Sequence, residues 1–292
     1  MKILLATDGS DYSEEAAGFL TRFNFSQKDE IVVLHVISEI PYEDDYKAQI
    51  RQAIRKVAPK ILESTVNILK PVNAKIMSVE ADGYPDTTII EKAVSLDIDL
   101  IVMGARGIKG IKIFFLGSST RSVTINSPKP VLVIKRHQGE VTGKMKIIFA
   151  ADGSDSADET ARFLSLMPFP DDAEITVMHV SRSAVSDIPD RYMMEISDEI
   201  KEEVARVRTI ESAESEKIIE KAQTYLSKRF TNIYGLKKIG DPSIEILNEA
   251  NISNADLIAV GSRGLRGVKG MLGSVSRRIL GHSECSVLIG KG

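Results

Sequence analysis

The sequence of 292 residues contains a single cysteine and no apolar run long enough to cross a bilayer. Cys285 cannot form a disulfide within the chain, and we interpret it as a small core residue because it begins an apolar Cys-Ser-Val-Leu-Ile segment. At the amino terminus, Asp8 comes too early for a signal peptide. We therefore expect a cytoplasmic protein without a membrane partner.

Charge of one sign is also missing, since 38 lysines and arginines oppose 41 acidic residues and the net charge is -3. No stretch resembles a basic face or tail, so nucleic acid is not an expected partner. The four histidines, His35, His137, His179 and His282, do not make a cluster with metal-ligand spacing. We expect no metal site, and we interpret His35 and His179 as sheet residues whose hydrogen bonds are satisfied.

The chain is an internal repeat. Residues 2–11 match residues 146–155 at an offset of 144, and Gly104-x-Arg-Gly107 matches Gly261-x-Arg-Gly264 at an offset of 157. The second copy thus carries 13 additional residues, which fall in the charged segment 190–230 and form one long helix or two. We predict a first domain over 1–137, a linker over 138–144 and a second domain over 145–292.

Within each copy, five short apolar runs alternate with helical patterns, which is typical of an α/β fold with a parallel sheet covered on both faces. We predict two tandem doubly wound domains with strand order 3-2-1-4-5. The helix predicted over 45–70 places Ile54, Val57 and Ile61 on its apolar face, and Pro59 is expected to disturb it. The last strands of the two copies are the expected contact between the domains.

A glycine motif follows the fourth strand of copy one: Gly104, Gly107 after two residues, and Gly117-Ser118 after nine more. Glycines let the backbone approach a ligand closely, and the start of a helix offers unpaired N–H groups to an anion. The alternative is that these glycines only make a turn. Neither a Gly-x-Gly-x-x-Gly after the first strand nor a P-loop is present.

Acidic residues follow the first strand of each copy, at Asp8 and Asp152. A carboxylate at this point of a doubly wound sheet can accept hydrogen bonds from ribose hydroxyls. The alternative is an Asp-Gly turn that the carboxylate itself caps. Arg106 and Arg263 lie inside the glycine motifs and could reach phosphates or remain surface charges.

With these motifs, the chain resembles a tandem universal stress protein over its whole length. The resemblance implies an adenine nucleotide, ATP, ADP or AMP, bound by the glycine motif, by the Asp after strand one and by the main chain of a Val ending strand two. In copy one the implied residues are Asp8, Val36, Met103, Gly104, Arg106, Gly107, Gly117, Ser118 and Ser119. In copy two they are Asp152, Val180, Gly261, Arg263, Gly264, Gly273 and Ser274. The spacing between Gly264 and Gly273 is one residue shorter than that between Gly107 and Gly117, so the phosphate site of copy two is expected to be weaker.

These residues lead us to expect a nucleotide-dependent sensor that reports to a regulatory protein partner. No arrangement of residues indicates a catalytic base, although Asp8 could hold Mg²⁺ near the phosphates. The alternatives are a slow ATPase or self-phosphorylating enzyme that uses the same pocket, with Ser118 or Ser119 as acceptor, and a structural module with empty pockets. We expect the tandem copies to form a pseudo-dimer within one chain. The sequence does not decide whether two chains also form a dimer.

Overall fold

The structure is a computed structural model that describes residues 1–38, 45–107, 116–136, 143–182, 197–265 and 271–291. Its first half contains β1 (Lys2–Thr7), α1 (Asp11–Leu20), β2 (Glu30–Ser38), α2 (Asp45–Ile68), β3 (Lys75–Gly83), α3 (Pro85–Ser95), β4 (Leu100–Gly104), α4 (Ser118–Asn126) and β5 (Val131–Ile134). Its second half contains β6 (Lys146–Ala150), α5 (Asp155–Leu166), β7 (Glu174–Ser181), α6 (Asp198–Leu226), β8 (Asn232–Ile239), α7 (Pro242–Ser253), β9 (Leu257–Gly261), α8 (Ser274–His282) and β10 (Ser286–Gly290).

The strands of the described residues form one sheet in the order β3-β2-β1-β4-β5-β10-β9-β6-β7-β8. Each half is parallel and has the predicted order 3-2-1-4-5, so the predicted fold class is confirmed. The halves meet where β5 and β10 pair antiparallel, with Leu132 opposite Leu288. The expected contact through the last strands is therefore present, and it joins the two sheets into one.

The core lies on both faces of this sheet, because side chains alternate along strands that are buried on each side. Ile3 and Leu5 of β1 belong to the cluster under α1, α2, α5 and α6, while Leu4 and Ala6 belong to the cluster on the opposite face. Cys285 is 8% exposed within the second cluster, as predicted, and burial raises the pKa of its thiol.

The structure bears on two helix predictions. α2 continues through Pro59, whose side chain is exposed, so the proline does not end the helix. A helix loses one backbone hydrogen bond at an internal proline, and packing of the rest of the helix can offset that loss. Within 197–230, the charged segment of the second half is a single helix, α6. The remainder of that segment, and most of the predicted linker, lie outside the described residues.

Aromatic and polar contacts tie the domains together away from the central strands. The ring centroids of Phe23 and Phe169 are 5.1 Å apart in an edge-to-face arrangement. Beside them, the backbone N–H of Asn24 donates to the carbonyl of Pro168 at 2.7 Å, and Arg22 pairs with Asp256 at 2.8 Å. The two halves therefore share part of their core.

Two lysines at matching positions, Lys135 and Lys291, cross between the domains and bond carbonyls at different positions of the helix ends. Lys135, directly after β5, donates from Nζ to the carbonyl of Ser283 at the end of α8, at 2.5 Å. Lys291, directly after β10, donates to the carbonyls of Thr124 at 2.7 Å and Ile125 at 3.3 Å, in the last turn of α4. Because the last carbonyls of a helix lack partners within it and carry partial negative charge, each ammonium caps a helix of the other domain.

Burial is the main cause that lowers the pKa of both Lys135 and Lys291 to about 8. Cys285 and Glu284 raise the pKa of Lys135 and Arg106 lowers it, while Arg263 lowers the pKa of Lys291. In an unfolded chain both lysines would titrate near 10.5. Between about pH 8 and pH 10.5, the unfolded state thus binds more protons than the folded state. The free energy of unfolding contributed by these two lysines therefore rises with pH.

We predict that the difference in free energy of unfolding between the native sequence and a Lys135→Met, Lys291→Met double variant changes with pH. From pH 7 to pH 10, the free energy of unfolding of the native sequence should rise relative to that of the variant by on the order of 3 kcal/mol. The reason is that burial of each ammonium is most costly below pH 8. Urea unfolding of both proteins, each carrying Cys285→Ser to remove thiol ionisation, measures it. A pH-independent difference would show that the lysines are not desolvated.

Candidate functional site

A cavity of about 960 Å³ opens in the first domain where the carboxyl ends of β1, β2 and β4 meet the start of α4. We call it the domain-1 cavity. All nine residues predicted in copy one line it: Asp8, Val36, Met103, Gly104, Arg106, Gly107, Gly117, Ser118 and Ser119. The strand order reverses between β1 and β4, which is where open α/β sheets bind their ligands.

Asp8 holds the turn between β1 and α1. Its Oδ1 accepts hydrogen bonds from the backbone N–H of Ser10 at 3.0 Å and from the Ser10 hydroxyl at 2.6 Å, so the capped Asp-Gly turn is present. Its Oδ2 lies against Gly107, where any Cβ would overlap it. The carboxylate thus links the first-strand turn to the glycine motif, and Gly107 is required for that close approach.

Gly104 and Gly117 fix the other wall of the domain-1 cavity. A Cβ on Gly104 would lie 2.6 Å from the backbone oxygen of Tyr12, so β4 and α1 approach closely only because this residue is glycine. The Thr120 hydroxyl donates to the carbonyl of Gly104 at 2.9 Å, and the N–H of Gly117 donates to the carbonyl of Ala105 at 2.9 Å. These bonds place the first turn of α4 beside the end of β4.

The start of α4 is suited to an anion. Gly117 occupies the N-cap position and has no side chain with which to cap the helix, and Ser118 is exposed. The first N–H groups of any helix lack intrahelical acceptors and lie at the positive end of its dipole. Residues 108–115 of the predicted phosphate loop lie outside the described residues.

Arg106 stands at the edge of the cavity against Tyr12. Its Nη1 donates to the Tyr12 hydroxyl at 3.1 Å, and its guanidinium carbon lies 5.5 Å from the ring centroid. This position is compatible with both roles predicted for Arg106, a phosphate contact and a surface charge. The contact with Tyr12 was not apparent from the sequence.

Apolar side chains of α2 and α3 complete the domain-1 cavity. Ile54 and Val57, on the predicted apolar face of α2, are 37% and 49% exposed and line the cavity. Ile61 of α2, with Pro85 and Ile89 of α3, adds further apolar surface. The helical spacing of Ile54, Val57 and Ile61 identified one face of α2, but the spacing alone does not tell a core from a cavity.

His35 also lines the wall of the cavity, a position that the sequence did not indicate. Its Nδ1–H donates to the carbonyl of Thr7 at 2.9 Å, whereas its buried Nε2 has no hydrogen-bond partner among the residues that the structure describes. The prediction of a fully satisfied histidine is therefore wrong for one of the two ring nitrogens. The matching His179 donates to the carbonyl of Ala151 at 2.7 Å.

The second domain brings together the same set of residues around a cavity of about 180 Å³. All seven predicted residues line this domain-2 cavity: Asp152, Val180, Gly261, Arg263, Gly264, Gly273 and Ser274. Asp152 again accepts from Ser154, through its N–H at 3.0 Å and its hydroxyl at 2.6 Å. The local geometry of the motif is thus repeated in a much smaller space.

The two cavities differ in whether the long helix of their domain, α2 or α6, lines them. No residue of α6 lines the domain-2 cavity among those that the structure describes, whereas four residues of α2 line the domain-1 cavity. At the offset of 157 that relates β3 to β8, Ile54 corresponds to Glu211 and Val57 to Glu214. The apolar wall is therefore a property of the first domain.

Each half of the chain, taken separately, matches the model of a known protein family. The model of the universal stress protein family matches residues 1–135 and 144–291. The chain belongs to the universal stress protein family. Its architecture also resembles a universal stress protein from Archaeoglobus fulgidus, with a TM-score of 0.65, 23% identity and coverage of 99% of this chain and 98% of that one.

Single-domain relatives match one half of this universal stress protein. Universal stress protein YxiE of Bacillus subtilis is 32% identical over 154 residues, which are 49% of this chain and 97% of that protein. Universal stress protein MJ0577 of Methanocaldococcus jannaschii is 28% identical over 153 residues, 46% of this chain and 94% of that protein. The present chain carries the domain twice.

The described residues contain no helix that is long and apolar enough to span a membrane. Nor do they bring three or more His, Cys, Asp or Glu side chains together in a group that could hold a metal ion. The two cavities therefore offer backbone N–H groups, carboxylates, hydroxyls, an arginine and apolar walls, to which α2 contributes in the first domain.

We predict that Gly104→Ala destabilises the protein by about 1–3 kcal/mol, because its Cβ would meet backbone atoms of Tyr12 that cannot move aside. Gly117→Ala should change stability by no more than about 0.5 kcal/mol, because the nearest atoms to its Cβ lie at 3.4 Å or beyond. Thermal unfolding of both variants measures the difference. Equal melting temperatures would contradict the close approach of β4 to α1.

Proposed function

We propose that this universal stress protein binds an adenine nucleotide in the domain-1 cavity and acts as a nucleotide-dependent regulator. The observation that carries the proposal is the convergence of nine predicted residues from the ends of β1, β2 and β4 and the start of α4 on one cavity of about 960 Å³. That size lies within the range of small-molecule sites in proteins. The resemblance of the glycine motif to nucleotide-binding members of the family supports the choice of ligand.

The phosphates would lie at the start of α4. The N–H groups of Ser118 and Ser119, the Ser118 hydroxyl and the dipole of α4 favour an anion there. Because Gly107 has no Cβ, its backbone can approach a phosphate closely, as it already approaches the Asp8 carboxylate. Arg106 could leave Tyr12 to pair with a phosphate oxygen, which would exchange its hydrogen bond and ring contact with a neutral tyrosine for a pair with an anion.

The ribose would lie on Asp8. Its carboxylate already accepts two hydrogen bonds from Ser10, but a carboxylate has about four acceptor positions and can accept ribose hydroxyls in addition. The turn that holds Asp8 thus favours a fixed orientation for the ribose. The capped turn and the ligand contact are compatible roles for this residue.

The base would lie between the apolar walls and the end of β2. β2 extends past β1: Thr7 is paired with His35, whereas Val36 is paired only with Ala81 of β3 among the described strands. The main chain of Val36 on the β1 side is thereby left to face the cavity, where it can bond a base edge. Ile54, Val57 and Ile89 offer apolar surface to the flat faces of the ring.

The regulatory role follows from where the ligand would bind. Residues 108–115 connect Gly107 to the phosphate end of α4, so a bound nucleotide would contact both ends of that segment. A partner protein that reads this surface would respond to nucleotide state. The domain-2 cavity would bind the same ligand more weakly, because its smaller space lacks the α2 wall.

We predict that Gly117→Val lowers ATP affinity at least about tenfold, because a branched side chain would occupy the position of the phosphate contact. Isothermal titration with ATP, ADP, AMP and cAMP measures it; another universal stress protein has been solved in complex with cAMP. Gly273→Val, the matching change in the second domain, is the control and should leave the tight site intact.

Unchanged affinity in Gly117→Val would contradict the assignment of the phosphate position. The purified chain, incubated with ATP and Mg²⁺, should leave the ATP intact. Turnover of ATP, or phosphate on Ser118 or Ser119, would favour the enzyme over the regulator.

A further inference from the structure

Each cavity is connected to the opposite domain by one helix. α4 begins at Gly117 and Ser118 in the domain-1 cavity and ends at carbonyls that Lys291 of the second domain caps. α8 begins at Gly273 and Ser274 in the domain-2 cavity and ends at His282, and Lys135 of the first domain donates to the carbonyl of Ser283, the C-cap residue. Each helix has nine residues, about 13 Å, so its two ends are close enough to move together.

The start of each helix is held to the strand that forms the cavity. The N–H of Gly117 donates to Ala105 at 2.9 Å, and the N–H of Gly273 donates to Ser262 at 2.8 Å. Hydroxyls add a second bond in both cases, from Thr120 to Gly104 and from Ser276 to Gly261 at 2.6 Å. A change at the capped end therefore reaches the cavity through a helix fixed at both ends.

The capping lysines also sense charge in the cavity of their own domain. Arg106 lines the domain-1 cavity and lies near Lys135, because the N–H of Ala105 donates to the carbonyl of Ile134 at 2.7 Å. Arg263 lines the domain-2 cavity and lies near Lys291, because Gly261 and Gly290 are paired in the sheet. In both cases the like charge of the arginine adds to burial in lowering the pKa of the lysine. A phosphate beside Arg106 would offset that repulsion and favour the ammonium of Lys135. The stronger cap would then act on α8, in the other domain.

We propose that Lys135 and Lys291 couple the two cavities, so that an anion bound in one domain stabilises the helix that begins in the other cavity. The coupling rests on the proposed nucleotide binding. Its sign is positive in both directions: the helix dipole favours an anion at its start and a cation at its end, and each lysine supplies the cation. The second domain thus acts as a regulatory partner for the first.

Hydrogen exchange of α8 in a Gly273→Val chain tests the coupling, because ATP can then act only from the domain-1 cavity. We expect ATP to slow exchange in the last turn of α8 roughly two- to fivefold, the size of one helix-terminus charge interaction. Lys135→Met in the same background should abolish the slowing. Lys135→Arg, which keeps the charge and the donors, should retain it.

Lys144→Met is the matched control, since Lys144 pairs with Glu174 at the surface and touches neither helix end. It should leave the ATP effect on α8 unchanged. If calorimetry shows ATP bound while α8 exchange stays constant, or if Lys135→Met leaves the slowing intact, the coupling is wrong although the proposed function stands. If no ATP binds, both fail together.

Discussion

The approach of β4 to the turn after β1 is the constraint on which the site depends. These two strands are neighbours in the sheet, and their crossover helices leave on opposite faces, so a crevice opens between their carboxyl ends. Gly104 and Gly107 keep the crevice closed at its base by admitting Tyr12 and Asp8 at distances that no Cβ permits. A larger residue at Gly104 would push β4 away from the backbone of Tyr12, and one at Gly107 would displace the Asp8 carboxylate.

The pairing of β5 with β10 adds a second level of organisation. It makes one sheet from two domains and places the end of each central strand beside a helix of the other half. Lys135 and Lys291 use that position to cap α8 and α4. Burial of two ammonium groups is costly, and helix carbonyls as acceptors offset part of that cost. The Phe23–Phe169 contact belongs to the core cluster on the opposite face of the sheet and gives the joined halves an apolar anchor there.

The sequence was sufficient for the strand order and for the grouping of the motif residues, because both follow from local patterns. Apolar runs between helices indicate a parallel sheet, and residues that follow its strands must meet at one edge. The family membership that the motifs suggested is also confirmed. The domain boundaries and the binding role of the site residues stay predictions.

What local patterns missed depends on tertiary packing. The apolar face of α2 reads like any core-facing helix, and only the packed structure turns Ile54 and Val57 toward a cavity. Among the described residues, α6 adds none to the wall of the domain-2 cavity, and Glu211 and Glu214 stand at the positions that correspond to Ile54 and Val57. Lys135 and Lys291 read as ordinary polar ends of strands, since their acceptors lie about 150 residues or more away along the chain.

Native mass spectrometry of the full chain tests whether the first domain of this universal stress protein holds an adenine nucleotide. We expect one bound nucleotide per chain at the lowest ATP concentration that gives any complex, with a second only at higher concentration. If the chain keeps its unliganded mass up to millimolar ATP, ADP and AMP, the first domain is not a nucleotide site.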